Sequence, residues 1–178
     1  KKEKSVTVFE SDSRQDCTIT VVKLSESPSS TVGIKLIEAE SEADIAPTPM
    51  KEHYIEFIGD SITCGYGVEA SDEKETFADE TSNFYYTYAA LTARALKAQH
   101  MVVARSGIGI YRNYKGPKTG SSDCMPRMYD QTQFGVEAEK WDPARYVPDV
   151  VCVNLGTNDV STDPYDKTML ENAYRDFY

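Results

Sequence analysis

The sequence is short of positive charge, histidine, tryptophan and long apolar runs, and each shortage excludes something. In 178 residues, 19 Lys and Arg stand against 29 Asp and Glu, a formal charge of −10. Binding a nucleic-acid backbone needs clustered basic groups that displace counterions, and the densest cluster here is Lys1-Lys2-Glu3-Lys4. Nucleic acid is therefore excluded as a partner. With 2 histidines, and with 4 cysteines at positions 17, 64, 124 and 152 that never fall into Cys-x-x-Cys spacing, no metal is expected. Cys152 lies within an apolar run and reads as a buried free thiol. No apolar stretch approaches the roughly 20 residues that span a bilayer, so no membrane partner is expected either. Lys1 is followed by charge instead of a signal-peptide apolar region.

What is present is the composition of a globular chain, 40% hydrophobic and 11% aromatic. Short β-branched runs, Val6 to Phe9, Thr18 to Leu24 and Val32 to Glu38, alternate with turn-rich stretches. They predict three strands of a meander, too few to bury a core alone. From Ser41 to Glu52, acidic residues and Pro47-Thr48-Pro49 read as a linker. The pattern then changes. Tyr54 to Ile58, Met101 to Ala104 and Val150 to Leu155 are apolar strands that end near Gly59, Gly107 and Gly156. Ser82 to Lys97 carries Tyr85, Tyr88, Ala89, Thr92 and Leu96 at helical spacing, and Lys167 to Tyr178 is a second helix. Buried strands alternating with helices predict an α/β fold, a parallel sheet covered on both faces. The long connection 106–140, rich in Gly, Pro and Tyr, is expected to be functional or mobile. The missing initiator Met and a helix with no closing cap predict a chain truncated at both ends.

In open parallel sheets, ligands bind at the carboxyl ends of the strands. Three small polar motifs fall there: Gly59-Asp60-Ser61, Ser106-Gly107 and Gly156-Thr157-Asn158-Asp159. A serine at a tight strand-to-helix turn exposes its hydroxyl and holds its own N–H near a helix start, so Ser61 is a candidate nucleophile. A glycine can bring a backbone N–H close to a tetrahedral intermediate and an asparagine amide can add a donor. Gly107 and Asn158 suit those roles. Each motif alone could equally be a loop whose Gly relaxes the backbone and whose Asp or Ser caps a helix. The ordered set, each directly after a strand, points to a hydrolytic site.

These motifs resemble those of the SGNH, or GDSL, hydrolases, whose blocks run Gly-Asp-Ser, a glycine, Gly-x-Asn-Asp and Asp-x-x-His. Three of the four blocks are present. Over roughly residues 50 to 160 the longer runs Ile55-Glu56-Phe57-Ile58-Gly59-Asp60-Ser61-Ile62-Thr63-Cys64-Gly65-Tyr66-Gly67 and Ser106-Gly107-Ile108-Gly109-Ile110-Tyr111-Arg112-Asn113-Tyr114 resemble carbohydrate esterase family two, which deacetylates plant polysaccharides. The resemblance implies a three-layer, flavodoxin-like α/β hydrolase domain at 49–178, incomplete at its C-terminus. Before it, residues 1–48 would be the last strands of an N-terminal jelly-roll β-sandwich plus the linker. It also implies Ser61 as nucleophile, with the Ser61 and Gly107 N–H groups and the Asn158 side chain as oxyanion donors, while Asp60 orders its turn and Asp159 braces the loop of Asn158. The implied reaction needs no metal or organic cofactor.

Serine needs a base, and the Asp-x-x-His block is missing. His53 opens the strand that ends near Ser61, which at about 3.3 Å per residue puts it on the order of 25 Å away. His100 fails by the same arithmetic, so the base is expected beyond Tyr178. Cys64 has no basic neighbour in sequence to lower its pKa and reads as core. Trp141 reads as packing, and Tyr111, Tyr114 and Tyr129 either line a sugar groove or pack their loop. The expectation is a secreted or periplasmic bacterial O-acetyl esterase acting on an acetylated plant polysaccharide or oligosaccharide such as xylan or mannan. The alternatives are an SGNH-type lipase, thioesterase or arylesterase, or a non-catalytic carbohydrate-binding protein that keeps the fold.

Overall fold

The computed structural model describes residues 3–26, 32–40 and 42–178. Three parallel strands form the sheet: β1 (Tyr54–Gly59), β2 (Gln99–Ala104) and β3 (Val150–Asn154), in the order β2-β1-β3. In the register, Gly59 lies opposite Ala104 on one side and Asn154 on the other, so all three strands finish at one rim. β2 and β3 flank β1 on opposite sides, which makes the carboxyl end of β1 a topological switch point. All three strands follow from apolar β-forming runs, each beginning or ending within two residues of the expected position.

Side chains alternate across β1 as the pleat requires. Ile55 and Phe57 face one core with Ala89, Ala93 and Ala98. Ile58 faces the other with Ile108, Met125 and Met128, against which Phe177 packs. The helices are α1 (Ser61–Cys64), α2 (Tyr88–Ala95), α3 (Met125–Met128) and α4 (Lys167–Phe177). With α2 in the first core and α3 and α4 in the second, both faces are covered, as expected of the hydrolase fold.

The long helix expected over 82–97 is shorter. A 3-10 turn at Phe84–Tyr86 precedes Thr87, whose hydroxyl caps α2 by accepting from Ala90 N–H. Its buried face is Ala89, Ala90 and Ala93, whereas Tyr85 and Leu96 are exposed. Small residues let the helix lie close to the sheet, and the larger side chains turn outward. β3 is less buried than its apolar sequence suggests: Val150 and Val151 are about half exposed (51% and 49%), because among the described residues no strand pairs with its outer edge. The cysteines are free; Cys64 and Cys124 are buried and Cys152 only partly so.

Before residue 51 the structure departs from the strand pattern. Among the described residues of this segment no strand forms, and Val6, Val8, Ile19, Val21, Ile34 and Leu36 are exposed. The turn expected at 25–30 lies mostly outside the described residues. A period of two supplies a face to bury, but strand pairing also needs a second layer to bury it against. Residues 106–140 also differ from a loose loop: Ile108, Ile110, Tyr111 and Arg112 are buried.

Candidate active site

The turn between β1 and α1 sets Ser61. A Cβ on Gly59 would lie 1.9 Å from Thr63 Oγ1, so only glycine lets the chain turn so tightly into the helix. Asp60 is the N-cap, its carboxylate accepting from Ile62 N–H at 3.0 Å, while its carbonyl accepts from Thr63 and Cys64 N–H. Gly65 ends the single turn with φ +92. One turn carries little macrodipole, so the N–H groups here act individually. The Ser61 N–H and hydroxyl are unengaged among the described residues, and the side chain is part-buried.

After β2, Ile108 N–H donates to Arg105 carbonyl at 3.2 Å, closing a turn whose third residue, Gly107, has φ +79. That positive φ is what a type II turn demands there, and it favours glycine. Gly107 carbonyl accepts from Tyr114 N–H at 2.8 Å, and Gly107 N–H is unengaged among the described residues.

After β3, Gly156 (φ +120) turns the chain into Asn158 and Asp159, both buried. Asn158 Nδ2 donates to Asp60 Oδ2 at 3.2 Å and to Ile108 carbonyl at 2.8 Å. One amide therefore joins the residue before Ser61 to the residue after Gly107, and the three loops meet. Both Nδ2 hydrogens are in use, so donating to an oxyanion requires exchanging one partner. The 3.2 Å bond to Asp60 is the longer and the easier to give up.

Asp159 explains why the loops hold together. Its Oδ1 accepts from Ile110 N–H (3.0 Å), Tyr111 N–H (2.8 Å) and Arg112 N–H (3.1 Å), and Oδ2 lies 3.1 Å from Ile110 N. Arg112 returns the contact: Nε donates to the Asp159 carbonyl at 2.6 Å, and its guanidinium also reaches the carbonyls of Gly116, Thr162 and Pro164. A Cβ on Gly109 would sit 1.9 Å from Arg112 carbonyl and 2.7 Å from Asp159 Oδ2, so glycine permits the close approach. Arg112, 1% exposed, was not anticipated as a brace, although a lone Arg after the Ile108–Tyr111 run was a visible signal.

Electrostatically the rim is acidic. Burial raises the Asp60 pKa above the usual carboxylate range, its hydrogen bond from Ile62 N–H opposes that, and the Asp159 charge adds to the rise. Burial, helped by the nearby charge of Glu26, pushes the Cys64 thiol far upward, which leaves a neutral packing residue and no thiolate nucleophile. Both histidines stand at the opposite edge of the sheet. His53 precedes β1 with Nδ1 4.0 Å from Asp149, and His100 pairs with Ile55 and lies against the Phe84 ring. Of the three tyrosines in the long connection, Tyr111 is buried, Tyr129 donates to Glu56 at 2.9 Å, and Tyr114 is exposed beside Gly107. Trp141 lies under the Arg145 guanidinium.

Residues 57–178 match the GDSL-like lipase/acylhydrolase family. The chain belongs to this family. Among relatives of this GDSL domain, cellulase/esterase CelE of Acetivibrio thermocellus is 47% identical over 131 residues, covering 73% of this chain and 15% of that protein. An acetylxylan esterase/glucomannan deacetylase of Cellvibrio japonicus is 34% identical over 143 residues, covering 79% of this chain and 39% of that protein. A family two carbohydrate esterase from Clostridium thermocellum, solved with cellohexaose, superposes with a TM-score of 0.68 at 42% identity, covering 74% of this chain and 39% of that one. The chain thus spans well under half the length of these relatives.

Proposed function

We propose that the protein is a serine esterase that removes O-acetyl groups from plant polysaccharides such as acetylxylan or acetylated mannan. The observation that carries this reading is the Asn158 side chain, which ties the turn before Ser61 to the turn of Gly107 while the N–H groups of both residues have no partner among the described residues. The names of the relatives, esterases of carbohydrate substrates, support the substrate class.

In this reading Ser61 Oγ attacks the acetyl carbonyl as a base takes its proton. The alkoxide is held by the Ser61 and Gly107 N–H groups and by Asn158 Nδ2, released from Asp60. The base then protonates the departing sugar oxygen, leaving an acetyl ester on Ser61. Water attacks that ester, acetate leaves, and the serine hydroxyl is restored. His53 and His100 stand at the far edge of the sheet, so neither is the base that takes the Ser61 proton. Tyr114, exposed and hydrogen-bonded to Gly107, offers an aromatic face to a sugar ring. Residues 1–48 belong, in the same reading, to a jelly-roll β-sandwich, and a polymeric substrate places the protein outside the cytoplasm.

Acetate release from acetylated xylan by the full-length protein, with Ser61→Ala alongside, tests the proposal. Release that vanishes in the variant supports it. Sugar binding without acetate release would favour a carbohydrate-binding role, and preference for long-chain esters would favour a lipase.

A further inference from the structure

Among the described residues of 3–50, only Val22, Ser25 and Glu26 are more than slightly shielded from solvent. The shielded residues gather where the segment meets the hydrolase domain. Leu24 carbonyl accepts from Phe84 N–H at 2.9 Å, and Glu26 Oε2 accepts from Ser106 N–H at 2.8 Å, 80 residues away in sequence. The same carboxylate is near enough to the Cys64 thiol to help raise its pKa. Cys64 ends α1, the single turn that begins with Ser61, and Ser106 directly precedes Gly107. Glu26 thus holds the oxyanion turn by a hydrogen bond and stands beside the nucleophile turn.

We propose that Glu26 is a positioning residue of the esterase site, a side chain of the N-terminal segment that fixes the Ser106–Gly107 turn against the helix of Ser61. The inference rests on the reading of Ser61 and Gly107 given above. The turn has other tethers, Gly107 carbonyl to Tyr114 N–H, Ile108 N–H to Arg105 carbonyl, Ile108 carbonyl to Asn158 Nδ2 and Arg105 N–H to Gly59 carbonyl, and none of them holds the Ser106 nitrogen. Within the turn, Glu26 fixes its second residue from outside. A carboxylate accepting a backbone N–H makes a charge-assisted bond, stronger than a neutral one. Without it the Gly107 N–H would sample more directions, and the cost would fall on the step in which the oxyanion forms rather than on sugar binding.

The test compares Glu26→Ala and Glu26→Gln in the full-length protein, using 4-nitrophenyl acetate turnover and amide hydrogen exchange at Ser106. Glu26→Ala should lower kcat about tenfold with KM changed less than about twofold, and Glu26→Gln, whose amide oxygen can still accept from Ser106 N–H, should restore most of the loss. Exchange at Ser106 should quicken about tenfold in Glu26→Ala. Unchanged Ser106 exchange, unchanged kcat, or a Gln variant as slow as Ala would overturn the role of Glu26 while leaving the esterase reading standing. A wild-type protein without acetyl esterase activity would overturn that reading and the catalytic role with it, and Ser106 exchange would still decide the contact.

Discussion

Removing the Asp159 carboxylate should be among the most damaging single changes that this hydrolase domain can suffer. Asp159 is fully buried and accepts from the N–H groups of three consecutive residues, Ile110, Tyr111 and Arg112. A hydrogen bond to a charged group nets about 1.5–3 kcal/mol, and a buried N–H left without a partner costs about 1–3 kcal/mol. Three such bonds would sum to more than single substitutions usually cost, but releasing a buried carboxylate from its desolvation returns part of the loss. The expectation for Asp159→Ala is therefore about 4 kcal/mol, a large share of the roughly 5–15 kcal/mol that holds a domain folded. Asp159→Asn separates charge from shape. Oδ1 can keep accepting from Tyr111 and Arg112, while the new NH2 replaces Oδ2, 3.1 Å from Ile110 N. About half the penalty, near 2 kcal/mol, should follow. Guanidinium unfolding of the full-length protein, read as a shift in midpoint at constant slope, measures both. A loss below about 1 kcal/mol for the Ala variant, or an Asn variant as damaged as Ala, would refute the bracing role assigned to this carboxylate.

Two further expectations concern the interior. Glu56, 2% exposed, has its pKa raised by burial despite the bond from Tyr129, and Oε1 finds no partner among the described residues. A raised folded-state pKa contributes stability at acid pH that is lost as pH climbs through that value, so Glu56→Gln should match wild type below about pH 4 and be about 1 kcal/mol more stable at neutral pH. Equal pH dependence of the two unfolding midpoints would contradict this. Gly109→Ala would drive a Cβ into Arg112 carbonyl and should cost about 3 kcal/mol or more, whereas Gly33→Ala, with nothing within 4 Å, should stay within about 0.5 kcal/mol in the same measurement.

Much of this architecture could be read along the chain because its causes are local. An apolar run ending in glycine makes a buried strand and a turn, and the order of three such runs is enough to put Ser61, Gly107 and Asn158 at one rim. The role of Asp60 as a cap was legible for the same reason, whereas Asp159, which the resemblance assigned to the loop of Asn158, braces Ile110 to Arg112 across a separation of 47 to 49 residues. The face of α2 was not, because periodicity names a stripe without saying how closely the helix approaches the sheet; alanines fill that gap and Tyr85 and Leu96 turn outward. The runs before residue 51 form no strand among the described residues, because alternation describes one face and is silent about what covers it. Arg112 and Glu26 were missed because their partners lie 47 and 80 residues away, and no local pattern encodes such a contact. The engaged state of Asn158 was equally invisible, since a motif fixes which donor is present and not what it holds at rest.

The central claim is that Ser61, Gly107 and Asn158 close on one acyl group. A crystal structure of the full-length protein treated with an acetyl-ester-mimicking phosphonate tests it most directly. The account expects phosphorus bonded to Ser61 Oγ and one phosphoryl oxygen about 2.7–3.1 Å from Ser61 N, Gly107 N and Asn158 Nδ2, with the Asn158–Asp60 bond opened. An adduct on another residue, or a phosphoryl oxygen facing solvent while Asn158 still holds Asp60 and Ile108, would contradict it.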